Sequence, residues 1–388
     1  MLKQAAIGVA VLLLILAGTI LIIFQDNIFV NFRTGSVPAL VSKGFSLDFA
    51  ENLSVKTLSD GSGFFSLTNS RAARFDNDGI LLWEHPLNYT NPTFVSNGSY
   101  IAVSQLRGRT YHAFSAGGII YTINFDNDIL NYNIASNGYS AVLTGSEIAY
   151  SINVFNRAGT LVWSRTIEDR SLFPISMAVS PGGNILAVSY LDISGPTVMS
   201  YICAYYIDSE IGTESDEGLF ALFRHVEGEI IHKVEFIDET HLMFCSDTEL
   251  GVYELDELRR VNHRWSKNFD NHITFVETVA NVGVAVAFGR PLLNREGLEE
   301  GSFIVYSPTG SELASFVMEG AITYLSTGSD AAIIGGGPLG RSFTALTYRN
   351  RIAWNYIATS DVLDFVILDR PGRALLVTPS RMMIMETP

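Results

Sequence analysis

A turn signal recurs along this chain at a nearly constant interval, and few folds satisfy that constraint. It reads Asp60-Gly61-Ser62-Gly63, Ser96-Asn97-Gly98, Ser136-Asn137-Gly138 and Ser180-Pro181-Gly182-Gly183. It continues as Asp238-Glu239-Thr240, Asn281-Val282-Gly283, Thr327-Gly328-Ser329-Asp330 and Arg370-Pro371-Gly372. Measured at residues 61, 98, 138, 182, 239, 282, 328 and 372, the steps are 37, 40, 44, 57, 43, 46 and 44. Strand-like runs follow, such as Tyr100-Ile101-Ala102-Val103 and Ile185-Leu186-Ala187-Val188. Asn-Gly and Pro-Gly supply the positive-φ positions that tight hairpins need.

A second signature sits further along each unit, aromatic-x-x-x-Gly-x-x-x-Trp. It is complete in Phe75, Gly79, Trp83 and in Phe155, Gly159, Trp163. Degraded copies hold Phe114, Gly118, Tyr121 and Tyr306, Gly310, Phe316, while Tyr253 with Trp265 and Tyr348 with Trp354 keep only the two ends. All four tryptophans of the chain fall at this one place, which marks an outer strand whose large ring packs between neighbouring units. Each unit therefore holds four short strands, here lettered A to D. Four-stranded units of about 40–45 residues repeated radially make a β-propeller. The expected fold is all-β, a propeller of eight four-stranded blades, with seven as the alternative. The last unit has three strands and then the chain stops. Residues 44–49, left over before the first full unit, are expected to pair with the C-terminal strand at 382–386. That pairing closes two open sheet edges.

Residues 5–24 read AAIGVAVLLLILAGTILIIF, 20 residues without a charge. At 1.5 Å per residue they span about 30 Å, one hydrocarbon core. No small-x-small cleavage site ends the run, so it reads as an uncleaved transmembrane helix rather than a signal peptide. The expected layout is a cytoplasmic tail (1–4), the helix (5–24), a stalk (25–43) and a propeller (44–388) outside the cytoplasmic membrane. The chain would then be single-pass with its N-terminus inside.

Gly79-Ile80-Leu81-Leu82-Trp83 and Gly159-Thr160-Leu161-Val162-Trp163 resemble the Gly-x-Leu-x-Trp segments of quinoprotein-like (PQQ-like) propellers. That superfamily includes cofactor-binding alcohol dehydrogenases and non-enzymatic propellers of outer-membrane protein assembly. The layout of one anchor helix and a repeat propeller also resembles a membrane-anchored propeller family of Firmicutes, domain of unknown function 5711. The Trp-Asp dipeptide of WD40 repeats is absent: the four tryptophans precede Glu, Ser, Ser and Asn.

The docking motif that the resemblance to quinone enzymes would require is not kept, so no cofactor is expected. Asp76-Asn77-Asp78-Gly79 begins like a calcium loop, but Ile80 and Leu87 stand where ligands belong. It reads instead as a C–D turn. His225, His232, His241, His263 and His272 lack zinc spacing, and no metal is expected. Cys203 and Cys245 lie in apolar strands and read as inert buried thiols. Gly335-Gly336-Gly337-Pro338-Leu339-Gly340 joins two strands and opens no helix, as a phosphate loop would. Lys plus Arg is 25 and Asp plus Glu is 40, a net charge of −15, which argues against a nucleic-acid partner.

Loop lengths carry the rest. In a propeller the B–C and D–A loops share one face. The long B–C loops bring Arg107, Arg109, Arg290, Arg295 and Arg341 there, and extended loops on a rigid scaffold are where function concentrates. The reading is a membrane-tethered, extracytoplasmic, non-catalytic module binding a protein, peptide or glycan. The alternative is a quinoprotein-like oxidoreductase or glycan-active enzyme using the central channel. Trp83, Tyr121, Trp163, Trp265, Phe316 and Trp354 are expected to be structural wedges.

Overall fold

Burial along the strands separates inner from outer positions. Tyr100–Ser104 is buried at every residue, whereas Leu161–Ile167 alternates between exposed and covered. The first pattern belongs to a strand covered on both faces, the second to a strand with one face in solvent. A computed structural model describes residues 38–48, 54–58, 61–207, 218–224, 227–255, 260–288, 300–337 and 339–388. The run at 5–24 and residues 25–37 lie outside the described residues. No helix among the described residues is long and apolar enough to cross a membrane.

Strand β1 (Val41–Asp48) comes first. Blade 1 is β2 (Ser54–Thr57), β3 (Phe64–Leu67), β4 (Arg71–Phe75) and β5 (Leu81–Pro86). Blade 2 is β6 (Thr93–Asn97), β7 (Tyr100–Ser104), β8 (Thr110–Ser115) and β9 (Gly118–Asn124). Blade 3 is β10 (Asp128–Ile134), β11 (Ser140–Gly145), β12 (Tyr150–Phe155) and β13 (Leu161–Ile167). Blade 4 is β14 (Leu172–Val179), β15 (Ile185–Asp192), β16 (Met199–Tyr206) and β17 (Leu219–Arg224). Blade 5 is β18 (Lys233–Phe236), β19 (His241–Cys245), β20 (Glu249–Leu255) and β21 (Val261–Asn268). Blade 6 is β22 (Ile273–Val279), β23 (Gly283–Phe288), β24 (Glu300–Tyr306) and β25 (Glu312–Glu319). Blade 7 is β26 (Ile322–Thr327), β27 (Ala331–Gly336), β28 (Ser342–Thr347) and β29 (Arg351–Ile357). The last three strands are β30 (Asp364–Ile367), β31 (Arg373–Val377) and β32 (Arg381–Glu386). Every sheet is four-stranded and antiparallel, and the eighth has the order β1-β32-β31-β30.

The ring therefore has eight blades, and the two ends of the chain share the last one. Register runs from Val41 opposite Glu386 to Asp48 opposite Arg381. The closing strand begins at Val41, three residues before the expected start and inside the stretch read as stalk. Arg381 Nε donates to Asp48 Oδ1 at 2.8 Å across this closure. Arg373 of β31 reaches Asp78 in the C–D turn of blade 1 at 2.6 Å, so a charged bond also joins blade 8 to blade 1.

The D-strand rings join blade to blade. Trp83 stacks on Phe114 of blade 2 with centroids 5.4 Å apart and planes at 8°. Trp163 lies 5.3 Å from Tyr205 of blade 4, and Trp265 lies 5.5 Å from Tyr306 of blade 6. The indole N–H of Trp83 donates to Ala116 O at 3.0 Å, that of Trp265 to Pro308 O at 3.0 Å and that of Trp354 to Pro371 O at 2.7 Å. All three acceptors lie in turns of the following blade. The repeat glycine makes room for these rings. A Cβ on Gly159 would meet Tyr121 Cγ at 2.7 Å, and one on Gly310 would meet Trp265 Cγ at 2.8 Å. At both glycines φ is also positive, 79° and 84°, so a side chain is excluded twice over.

Register moves one of these assignments, Phe316. Trp83, Tyr121, Trp163, Trp265 and Trp354 all sit opposite the C-strand residue before the bulge. In blade 6 that place belongs to Ala314, opposite Val305, and Phe316 lies two residues on, opposite Phe303. Blade 4 makes the same exchange: Ala221 faces Ala204, and Phe223 lies two residues on, stacked 5.0 Å from Tyr253. An alanine at the tryptophan position leaves space that the next same-side ring fills.

Candidate functional site

Two regions gather polar chemistry, the channel along the inner strands and the face of the B–C and D–A loops. In the channel, side chains tie neighbouring A strands together at seven junctions. Thr93 and Tyr132 share a hydroxyl bond of 2.7 Å, Asn131 donates to Ile175 O at 3.1 Å, and Val234 N–H donates to the Ser176 hydroxyl at 3.1 Å. Lys233 Nζ donates to Val276 O at 2.8 Å, and the Thr327 hydroxyl donates to Glu277 at 2.7 Å. Phe365 N–H donates to the Tyr324 hydroxyl at 2.9 Å, and Val55 N–H donates to Asp364 Oδ2 at 3.0 Å. Lys56 in blade 1 reaches Glu277 in blade 6 at 3.8 Å, and Lys233 pairs with Glu235 at 3.1 Å. Among the described residues these ties engage three carboxylates, Glu235, Glu277 and Asp364, and two ammonium groups, Lys56 and Lys233.

Asp364 sits where the closing blade meets blade 1. Burial raises its carboxyl above the ordinary range, and the Tyr324 hydroxyl, donating to Oδ1 at 2.6 Å, opposes this only in part. A raised carboxyl binds its proton more tightly in the folded state. Its stabilising contribution is complete below the unfolded value near 4 and is lost as pH rises through the folded value. Asp364→Asn keeps an acceptor for Val55 and cannot ionise. Its melting temperature should equal or exceed that of the parent at pH 7.5, with the difference shrinking toward pH 4. A variant destabilised more at pH 7.5 than at pH 4 would show that the ionised carboxylate is the preferred form.

The topology places Arg107, Arg109 and Arg341 on the B–C and D–A face. Arg290 and Arg295 lie outside the described residues. Arg107 caps its loop at φ 62°, its N–H bonded to Ile129 O at 2.7 Å, and its side chain is exposed. Arg109 Nε donates to Asp128 at 3.0 Å and Arg341 Nη2 to Asp361 at 2.9 Å. Each reaches a carboxylate at the following D–A connection. Blade 7 is three steps round the ring from blade 2, so the described arginines form no single cluster. Exposed carboxylates of the D–A loops, Asp126, Glu168 and Asp169 among them, share this face.

Sequence reading missed the aliphatic tips. Leu106, Ile148, Ile193 and Leu339 stand on the B–C loops of blades 2, 3, 4 and 7, exposed by 51%, 76%, 47% and 85%. Solvated loop tips favour polar residues, and that mismatch was the available signal. Two clefts open on the same face, one along Leu339, Arg341, Asp361 and Val362, the other along Glu147, Ile148, Ile167 and Arg170.

The remaining motifs resolve into turns and scattered side chains. Asp76 Oδ1 accepts from Asp78 N–H at 2.9 Å and Ile80 N–H at 2.8 Å, as Asn156 does for Ala158 at 2.9 Å and Thr160 at 3.0 Å. His232 bonds Ser246 O at 3.1 Å, His241 bonds Asp238 at 2.9 Å, and His263 packs 5.4 Å from the Tyr253 ring. His225 lies outside the described residues. Cys203 and Cys245 are buried in different blades and share no disulfide, and burial pushes the Cys245 thiol up to about 12. Among the described residues no three His, Cys, Asp or Glu side chains could hold a metal ion together.

The fold is shared with BamB from Moraxella catarrhalis, at 13% identity and TM-score 0.53, over 90% of this chain and 98% of that one. It is also shared with Sqt1 from Chaetomium thermophilum, at 10% identity and TM-score 0.57, over 87% and 97%. At such identities the likeness is one of fold alone. No curated protein matches the chain. The model of the family described as a family of unknown function, DUF5711, matches residues 41–387, from the first residue of the closing strand to one residue short of the C-terminus, and the chain belongs to that family.

Proposed function

We propose that this chain is a membrane-tethered, extracytoplasmic binding module that engages a protein, peptide or glycan partner through the B–C and D–A loop face, without catalysis at the ring. One observation carries the reading: long loops of that face hold exposed aliphatic tips beside arginines, while A–B turns on the other face are tight and built for packing. The direction of β1 supports it. Val41 pairs with Glu386 at the A–B turn end of the closing blade, so the polypeptide joins the ring away from the proposed binding face. The uncharged run at 5–24 would supply the tether. Arg107, Arg109, Arg290, Arg295 and Arg341 would serve as fork-shaped donors, able to bond a carboxylate or stack on a ring.

The second reading, a quinoprotein-like oxidoreductase or a glycan-active enzyme, draws on Glu235, Glu277 and Asp364 in the channel. Glu277 and Asp364 are engaged in strand-to-strand ties and Glu235 is paired with Lys233 on its own strand, which favours the structural role.

A photo-crosslinking residue placed in the full chain, in native membranes, separates these readings. Positions 106, 148 and 339 probe the binding face, and positions 309 and 350 probe turns of the opposite face. Discrete adducts from the first set alone are expected. Equal adducts from both sets, or none from the first, would overturn the reading. Protease added to intact spheroplasts should cut the propeller, and a protected domain would reverse the orientation.

A further inference from the structure

We propose that the arc of blades 2 to 4 on this face docks a basic, amphipathic helical segment of a partner polypeptide. The inference rests on the binding role proposed for the face and names its occupant. Leu106, Ile148 and Ile193 occupy the same loop in three consecutive blades, with Val198 beside the third, exposed by 37%. Ile148 is the most telling of these. It stands at the tip of a four-residue turn, Ser146 to Ala149, whose shape is set by the Ser146 hydroxyl accepting from Ile148 N–H and Ala149 N–H at 3.3 Å each. The turn needs no aliphatic side chain there, and exposing one to water has a cost that a partner would remove.

Charge selects the partner. Among the described residues from the B–C loop of blade 2 to that of blade 4, six carboxylates, Asp126, Asp128, Glu147, Glu168, Asp169 and Asp192, stand against three arginines, Arg107, Arg109 and Arg170. Arg109 is already bonded to Asp128. The arc is therefore an acidic surface with apolar points set into it, complementary to lysine and arginine around leucine-like side chains. Spacing selects a helix. Packed sheets lie about 10 Å apart, and seven residues of α-helix rise about 10 Å. One apolar side chain every seven residues would thus meet one blade tip after another.

The test uses the full chain in zwitterionic nanodiscs and a labelled 18-residue helical peptide, read by fluorescence anisotropy. The peptide has three leucines seven residues apart among lysine, alanine and glutamine, and a second version replaces lysine by glutamate. The lysine peptide should bind, and the glutamate peptide should bind at least tenfold more weakly. Leu106→Ser, Ile148→Ser and Ile193→Ser together should weaken lysine-peptide binding at least tenfold with melting temperature unchanged. Glu147→Gln with Glu168→Gln should weaken it and flatten its salt dependence. Ile80→Ser with Leu161→Ser, at the C–D turn end of the ring, should leave it unchanged. Binding that survives the triple serine variant, or equal binding of both peptides, overturns the proposal. Crosslinks at position 106 without lysine-peptide affinity would remove this occupant and leave the binding face standing. Loss of both would remove the face itself.

Discussion

Deleting residues 382–388 should cost most of the stability of the ring. The deletion removes nearly all of β32, which sits between β1 and β31. Three of its side chains, Met382, Ile384 and Met385, are 1%, 2% and 4% exposed. Burying a side chain of that size contributes about 1.5–3 kcal/mol, so their loss alone amounts to several kcal/mol. The whole stability of a domain is roughly 5–15 kcal/mol. β1 loses its partner at the same time, and both β1 and β31 become open edges. The truncated chain is expected to be unfolded at 37 °C or to melt far below the parent, with early proteolysis around residues 41–48. An unchanged denaturation midpoint would mean that β1 and β32 do not close the ring.

The repeat and its closure were legible because both are written locally. Turn glycines, a tryptophan at one recurrent position and a three-stranded last unit can each be read within 45 residues. The limits appear where one blade answers another. The ring of Phe45 fills the space beside Gly79, and Phe223 stacks on Tyr253. Neither was recognised as a wedge, because Phe45 precedes the first full unit and Phe223 is displaced two residues by Ala221. The channel ties were illegible for a similar reason. Val55 and Asp364 are 309 positions apart in the chain and are brought together only by closure. Arg109 and Arg341 were placed on the binding face from their own loops alone. Their partners Asp128 and Asp361 come from the next D–A connections, so the neutralisation shows only once the blades are in order.

Trp354→Ala should destabilise the protein by about 3–5 kcal/mol, the range for large-to-small changes in a packed core. Trp354 is fully buried, with its ring 5.1 Å from Phe365 of the closing blade. Its indole N–H donates to Pro371 O at 2.7 Å, so truncation opens a cavity and leaves a carbonyl without its donor. Trp354→Phe separates the two effects. It restores most of the packing and leaves the carbonyl unpaired, for a loss of about 1–3 kcal/mol. Phe316 offers the contrast, because it is half-buried in a blade whose tryptophan position holds Ala314. Phe316→Ala should therefore cost less than Trp354→Ala. Urea denaturation of the three variants gives the order directly, with Trp354→Ala lowest. The reverse order would place the main inter-blade packing at the displaced ring. Equal values for Trp354→Ala and Trp354→Phe would assign the stabilisation to the bond with Pro371, because only that bond is lost in both.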